Sequence, residues 1–331
     1  MQTSSSLKLV AFVLVLSQTL ASIACGQSSE QELSFSESTE TIEVLRGEQV
    51  VLAYNKKSPP VPAGIDAIYH RSGCLHPVMT PNGRVITDMF PTDHPHQHGI
   101  FTAWVKTSYA KREIDFWNLA KGTGRVLHER VVSQKQTDGG SEFEVELIHR
   151  AEQKPQVDIL KENWKITVYQ TKEDYNCFDL SLKQTALTDT PLVIKQNRYG
   201  GFALRARSEW LTSNDKDESG KGSREPSSFL NDLGSDRIKG NHQKSKWVAL
   251  TGKIDGQPAT IAVLSHPSNF RAPQTVRLHP TKPYFAYSPC VDGKFSIDKQ
   301  HPYAARYRVF VTDAAPDSRW LDEQWESWAE E

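Results

Sequence analysis

Phe143-Glu144-Val145-Glu146-Leu147-Ile148 sets apolar and acidic side chains in alternation, and its reading decides the fold. Successive side chains of an extended chain point to opposite faces, so a period of two marks a strand with one face in a core. The period returns in Trp164-Lys165-Ile166-Thr167-Val168-Tyr169 and in Cys177-Phe178-Asp179-Leu180-Ser181-Leu182. Between Arg125 and Gln196 no segment holds a helical period beyond two turns. Half-buried alternation of this kind belongs to antiparallel sheets. The expected fold is all-β, a large antiparallel β-sandwich.

Upstream, Thr41 to Leu45 and Gln49 to Tyr54 read as a hairpin closed at Arg46-Gly47. Pro81-Asn82-Gly83-Arg84 carries the Asn-Gly signal of a tight turn. Downstream, short strands are expected at Tyr199 to Arg205, Trp247 to Leu250, Ala259 to Leu264, Pro283 to Tyr287 and Tyr307 to Val311. The tail is the one good helix: Asp317 stands at its cap, and Leu321, Trp325 and Trp328 follow at helical spacing. Residues 27–39, rich in Ser and Glu, read as a disordered leader. Residues 40–331 then form a single domain, with a polar, exposed insertion near 213–240.

Residues 1–26 have the form of a signal peptide. An apolar core runs from Leu9 to Leu16, and small residues at Ala21, Ser22 and Ala24 suit cleavage. Cys25 adds the option of a lipid anchor. The expected location is exported, periplasmic or extracellular, with no transmembrane segment in the mature chain. Lys and Arg number 39 against 40 Asp and Glu, a net charge of −1. That balance leaves no basic stripe for nucleic acid. Cys74, Cys177 and Cys290 are too few and too far apart for a disulfide framework. No GxSxG elbow, P-loop or GxGxxG is present, which disfavours the enzymes built on them.

Asp93-His94-Pro95-His96-Gln97-His98-Gly99 holds three of the 11 histidines. If the stretch is extended, His94, His96 and His98 share one face. Three imidazoles there can hold one transition metal, or divide acid and base roles with no cofactor at all. The sequence leaves the two readings open. For proton transfer the candidates are His96 and His98, with Asp93 fixing a tautomer and His266 approaching from elsewhere in the chain. Arg71, His76, Trp117, Tyr199, Asn269 and Arg271 are candidate substrate contacts.

Leu75-His76-Pro77, Pro81-Asn82-Gly83-Arg84, the histidine stretch, Asp115-Phe116-Trp117, Tyr199-Gly200-Gly201, His266-Pro267-Ser268-Asn269 and Arg306-Tyr307-Arg308 together resemble an uncharacterised bacterial family. It is often labelled methane oxygenase PmoA-like, and the resemblance spans nearly the whole mature chain. The membrane subunit behind that label has several long apolar spans, whereas this chain has a mean hydropathy of −0.54. The family is similar to galactose-mutarotase-like supersandwich proteins, which implies a concave sheet that holds sugar. The resulting expectation is an exported carbohydrate-active protein, working on a sugar or sugar acid as epimerase, mutarotase or lyase through histidine. The alternatives are a non-catalytic carbohydrate-binding protein and a metal-dependent oxygenase. Oligomeric state is not readable.

Overall fold

Strands Gly140–Ala151, Val157–Tyr169 and Tyr175–Ala186 pair antiparallel in the computed structural model, with Trp164 opposite both Val145 and Leu182. These are the runs whose alternation the sequence displays. The structure describes residues 32–171, 174–211 and 226–331, together with Gln2. The expected signal peptide and the Cys25 anchor lie outside the described residues. Among those described, no helix is long and apolar enough to cross a membrane.

The long strands belong to an eight-stranded sheet. Its order runs from Ser228–Asn231 through Trp247–Ile254, Gln257–Ser265 and Tyr303–Thr312 to Tyr175–Ala186, Val157–Tyr169, Gly140–Ala151 and Gly124–Thr137. A second eight-stranded sheet orders Leu33–Glu37, Thr41–Arg46, Gln49–Asn55, Cys74–Val78, Ile100–Ala103, Gly201–Arg205, Tyr284–Tyr287 and Val276–Leu278. A small four-stranded sheet joins Phe295–Ile297, Leu192–Ile194, Thr107–Tyr109 and Arg112–Ile114. Every pairing is antiparallel, and the all-β sandwich with a C-terminal helix is the fold observed.

The sandwich core lies where the two large sheets face each other. Phe202 and Tyr287 of one sheet meet Tyr307 of the other, at ring separations of 4.3 and 5.4 Å. Burying one such large side chain contributes roughly 1.5–3 kcal/mol. Polar groups interrupt this core and pair across it. Thr102 Oγ1 donates to Glu162, and Trp104 Nε1 donates to Gln184, both at 2.7 Å. His149 Nε2 stands 2.5 Å from the other oxygen of Glu162, and both residues are fully buried.

The helix Ser318–Ala329 covers the outer side of the first sheet, where Leu321 and Trp328 are buried with Trp247, Leu264 and Phe310. Asp317 accepts from Trp320 N, the expected cap. Two expectations fail. Leu33–Glu37, placed in a disordered leader, is an edge strand paired with Thr41–Arg46. Its Leu33 and Phe35 pack on the core, which the Ser- and Glu-rich composition concealed. The insertion expected near 213–240 falls partly outside the described residues, and from 226 onward it is built into the fold. Ser228–Asn231 pairs with Trp247–Ile254. Arg237 is buried and donates to Ser227 O and to the carbonyls of His279 and Lys282.

Cys74, Cys177 and Cys290 are all buried and free.

Candidate functional site

The sheet of Ile100–Ala103, Gly201–Arg205 and Tyr284–Tyr287 turns one face into the sandwich and the other outward. On the outward face Phe101, Ala203 and Ala286 stand in one cross-strand row. Arg205 and Tyr284 are directly paired in the next. The chain from 88 to 99 crosses this face and is tied to it where Asp93 accepts from Arg205 and where Arg205 N bonds to Gly99 O.

That crossing is not extended, which corrects the expectation that His94, His96 and His98 share a face. His94 N bonds to Pro91 O and Gln97 N to His94 O, so the stretch is two successive turns. Pro95 takes the second position of the latter turn, where its fixed φ belongs. A turn brings His94 and His96 together, their rings 5.4 Å apart. It sends His98 the other way. His98 is fully buried between Phe90 and Phe101, and its Nε2 donates to Tyr69 O. Burial and the nearby Arg71 charge hold it far below the usual histidine range, so it stays neutral. Gly99 ends the crossing with φ of 57°, and a Cβ there would lie 2.1 Å from Leu75 O.

Asp93 organises what remains. It accepts two hydrogen bonds from the fully buried Arg205, at 3.0 and 2.7 Å, and one from His94 Nδ1 at 3.0 Å. Lys282 Nζ stands 3.4 Å away. Burial alone would raise the Asp93 carboxyl, but the His94 and Arg205 hydrogen bonds and the Arg205 charge hold it well below the usual carboxylate range. A carboxylate only accepts, so His94 Nδ1 carries the proton and His94 Nε2 is left as the basic atom. His96 is pushed down to about 4, first by burial and then by the charges of His94 and Arg205. It is neutral at pH 7, and neither of its ring nitrogens has a hydrogen-bond partner among the described residues.

A third histidine completes the group. His279 follows the strand Val276–Leu278, with its ring 5.9 Å from His94 and 6.1 Å from Tyr284. Its Nδ1 accepts from Thr281 N and Lys282 N, which leaves the proton on Nε2. Tyr284 in turn lies 5.9 Å from Trp117, and Trp117 lies 5.2 Å from Tyr199. The site is thus a band of rings on the outward face, with Asp93, His94 and His96 at one end and Tyr199 at the other.

Of the sequence candidates, Asp93, His94, His96, Trp117 and Tyr199 come together here. Trp117 is 1% exposed and pinned by Asp115, so it is the packed floor of the band and not an open stacking surface. The others are elsewhere. His266 pairs with Ser268 and Arg306 and packs on Trp328 of the C-terminal helix. Asn269 bonds to Ser265 and to the backbone of Arg306. Arg271 donates to the carbonyls of Pro289, Gly293 and Lys294. These three hold loops in place. Arg71 is 1% exposed, over the Phe101 ring and bonded to Thr102 O, with no access to the band. His76 bonds to Thr87 and lines a separate cleft of about 440 Å³ with Asp88 and Arg207.

Sequence reasoning missed His279 and Lys282. The available signal was the His279-Pro280 pair, the same dipeptide as His94-Pro95. The expected metal set of His94, His96 and His98 is not assembled, since His98 faces the core. Among the described residues no three His, Cys, Asp or Glu side chains are grouped as a metal site requires.

A family model described as a family of unknown function, DUF6807, matches residues 41–326. The chain belongs to that family. No curated protein matches this DUF6807 chain. Among solved structures, it is similar at 9% identity and a TM-score of 0.32 to a 4-alpha-glucanotransferase from Thermococcus litoralis. That match covers 86% of this chain and 40% of the other.

Proposed function

We propose that this DUF6807 protein acts on a sugar or sugar acid by histidine-mediated proton transfer, as an epimerase, mutarotase or lyase. The observation that carries the reading is the Asp93–His94 pair beside an uncharged, unpartnered His96. A carboxylate that fixes one imidazole tautomer makes the other nitrogen a proton acceptor of defined direction. His94 Nε2 takes a proton, His279 supplies one from Nε2, and His96 accepts a hydrogen bond from a substrate hydroxyl. What supports the carbohydrate class is the half-buried Tyr199 ring together with the polar histidines of the same face, a combination that suits a polyol with apolar CH faces. The reading keeps the expected export and the similarity to mutarotase-like supersandwich proteins within the same proposal. The oxygenase alternative would need a ligand set, and among the described residues no three His, Cys, Asp or Glu side chains are grouped as one.

The test is NMR of the imidazole resonances during titration with hexoses and hexuronates. Resonances of His94, His96 and His279 shift with a saturable dependence on sugar, while His266 stays still. Shifts at His266 alone, or at none of the four with any sugar, would overturn the reading.

A further inference from the structure

At the Tyr199 end of the band two guanidinium groups have no carboxylate partner among the described residues. Arg198 is exposed, lies 5.7 Å above the Tyr199 ring and forms no ion pair among the described residues. Arg277 shares the cross-strand row of Ala286 on the outward face. Only its Nη1 is engaged, with Asn241 Oδ1 at 2.9 Å and Leu278 O at 3.3 Å. Its Nη2 and Nε make no hydrogen bond among the described residues. Asn241, which Arg277 grips, is followed by His242, whose Nε2 donates to Arg198 O at 3.1 Å, so one short segment ties both arginines to the same corner of the face. Nearby, the Tyr284 hydroxyl is buried and has no hydrogen-bond partner among the described residues.

Elsewhere on this face cations are matched. Arg205 has Asp93, and Lys121 has Asp115. Like charges in one corner of the face, with no carboxylate paired to them among the described residues, repel each other, and an anion that joins them relieves the repulsion. A guanidinium with an open edge is also the group best shaped to grip a planar carboxylate. We infer that Arg198 and Arg277 form an acid-binding subsite, and that the molecule handled at His94 and His96 is a sugar acid held there by its carboxylate. The inference rests on the carbohydrate reading above and narrows it from sugars at large to acidic ones. His279 and Tyr284 separate the two ends, so one acidic sugar or a short acidic oligosaccharide spans them.

Calorimetric binding of D-glucuronate, D-glucose and inorganic sulfate tests this, in the full chain and in Arg198→Ala and Arg277→Gln variants. Arg198 is exposed and its loss leaves the fold intact, so a folding defect in Arg277→Gln does not decide the matter. Glucuronate is expected to bind at least about tenfold more tightly than glucose, with that preference lost in Arg198→Ala. Glucose and glucuronate binding alike, unchanged in both variants, would overturn the acid subsite and leave the carbohydrate reading standing. Sulfate binding that depends on both arginines, with no binding of either sugar, would keep the anion subsite and remove the sugar. No binding of any of the three would overturn both.

Discussion

Asp93 shows how a single side chain can hold a site together and still be costly to lose. It neutralises Arg205, which is fully buried, while turning His94 and standing beside Lys282. Removing one partner of a buried pair leaves an uncompensated charge, at a cost of about 3–5 kcal/mol. Asp93→Asn is expected to lower unfolding free energy by that order in urea denaturation, and a loss well under 1 kcal/mol would show that Arg205 finds another partner. His96 gives a pH signature. Its folded value of about 4 lies below the unfolded value of about 6.5, so the unfolded chain binds the extra proton first. His128, pushed down to about 4 by burial and the Lys56 charge, behaves alike. Stability contributed by both is complete above about pH 6.5 and falls as pH drops toward 4. Urea midpoints measured across that range should decline, and less steeply in His96→Gln. An unchanged slope in that variant would contradict the assigned environment of His96.

At the scale of elements, the long strands were legible because burial on one face writes itself into local sequence. Phe143, Val145 and Leu147 are all buried, each separated by a residue turned away from the core. The helix was legible for the same reason, since Asp317, Leu321, Trp325 and Trp328 are local in sequence. Leu321→Ala is expected to cost about 2–5 kcal/mol, read from the thermal or urea transition. The 88–99 crossing was only half legible. Pro95 is compatible with both an extended chain and the second position of a turn, and local sequence does not choose between them. The choice is made by contacts from outside the segment: Arg205 gripping Asp93, Tyr69 O taking His98, and Leu75 O closing on Gly99. Because φ at Gly99 is positive and a Cβ would collide with Leu75 O, Gly99→Ala should destabilise by more than about 1 kcal/mol. A neutral effect in a melting experiment would mean that the crossing relaxes easily.

Across the whole molecule, the proposed function depends on residues far apart in the chain being carried to one face. His279 arrives more than 180 positions after His94, on a turn that buried Arg237 holds through its carbonyls. No pattern in one sequence announces that meeting. His266 illustrates the opposite error: its strand-end position and Pro267 resembled the setting of His94, yet the Trp328 ring and Arg306 occupy it. The interior adds a constraint of the same scale, in which Glu162 binds His149, Thr102 and Trp164 between the two sheets. In sequence Glu162 keeps phase with Trp164 and Ile166, so the period already placed it inside, against its charge. Burial raises the Glu162 carboxyl, but its hydrogen bonds, His149 first, hold it below the usual value. Its contribution is therefore present above about pH 4.5 and lost in stronger acid, adding to the decline due to the histidines.

In the proposed mechanism protons move at His94, and turnover is the test closest to that step. Hexoses and hexuronates incubated with the wild-type chain, His94→Gln and His266→Gln are followed by proton NMR for anomer exchange, epimerisation and elimination. The account predicts conversion of at least one sugar by the wild type, a loss of about 10²–10⁴-fold in His94→Gln, and a near wild-type rate in His266→Gln. Conversion by His94→Gln at the wild-type rate, or no conversion of any sugar by the wild type, would contradict it.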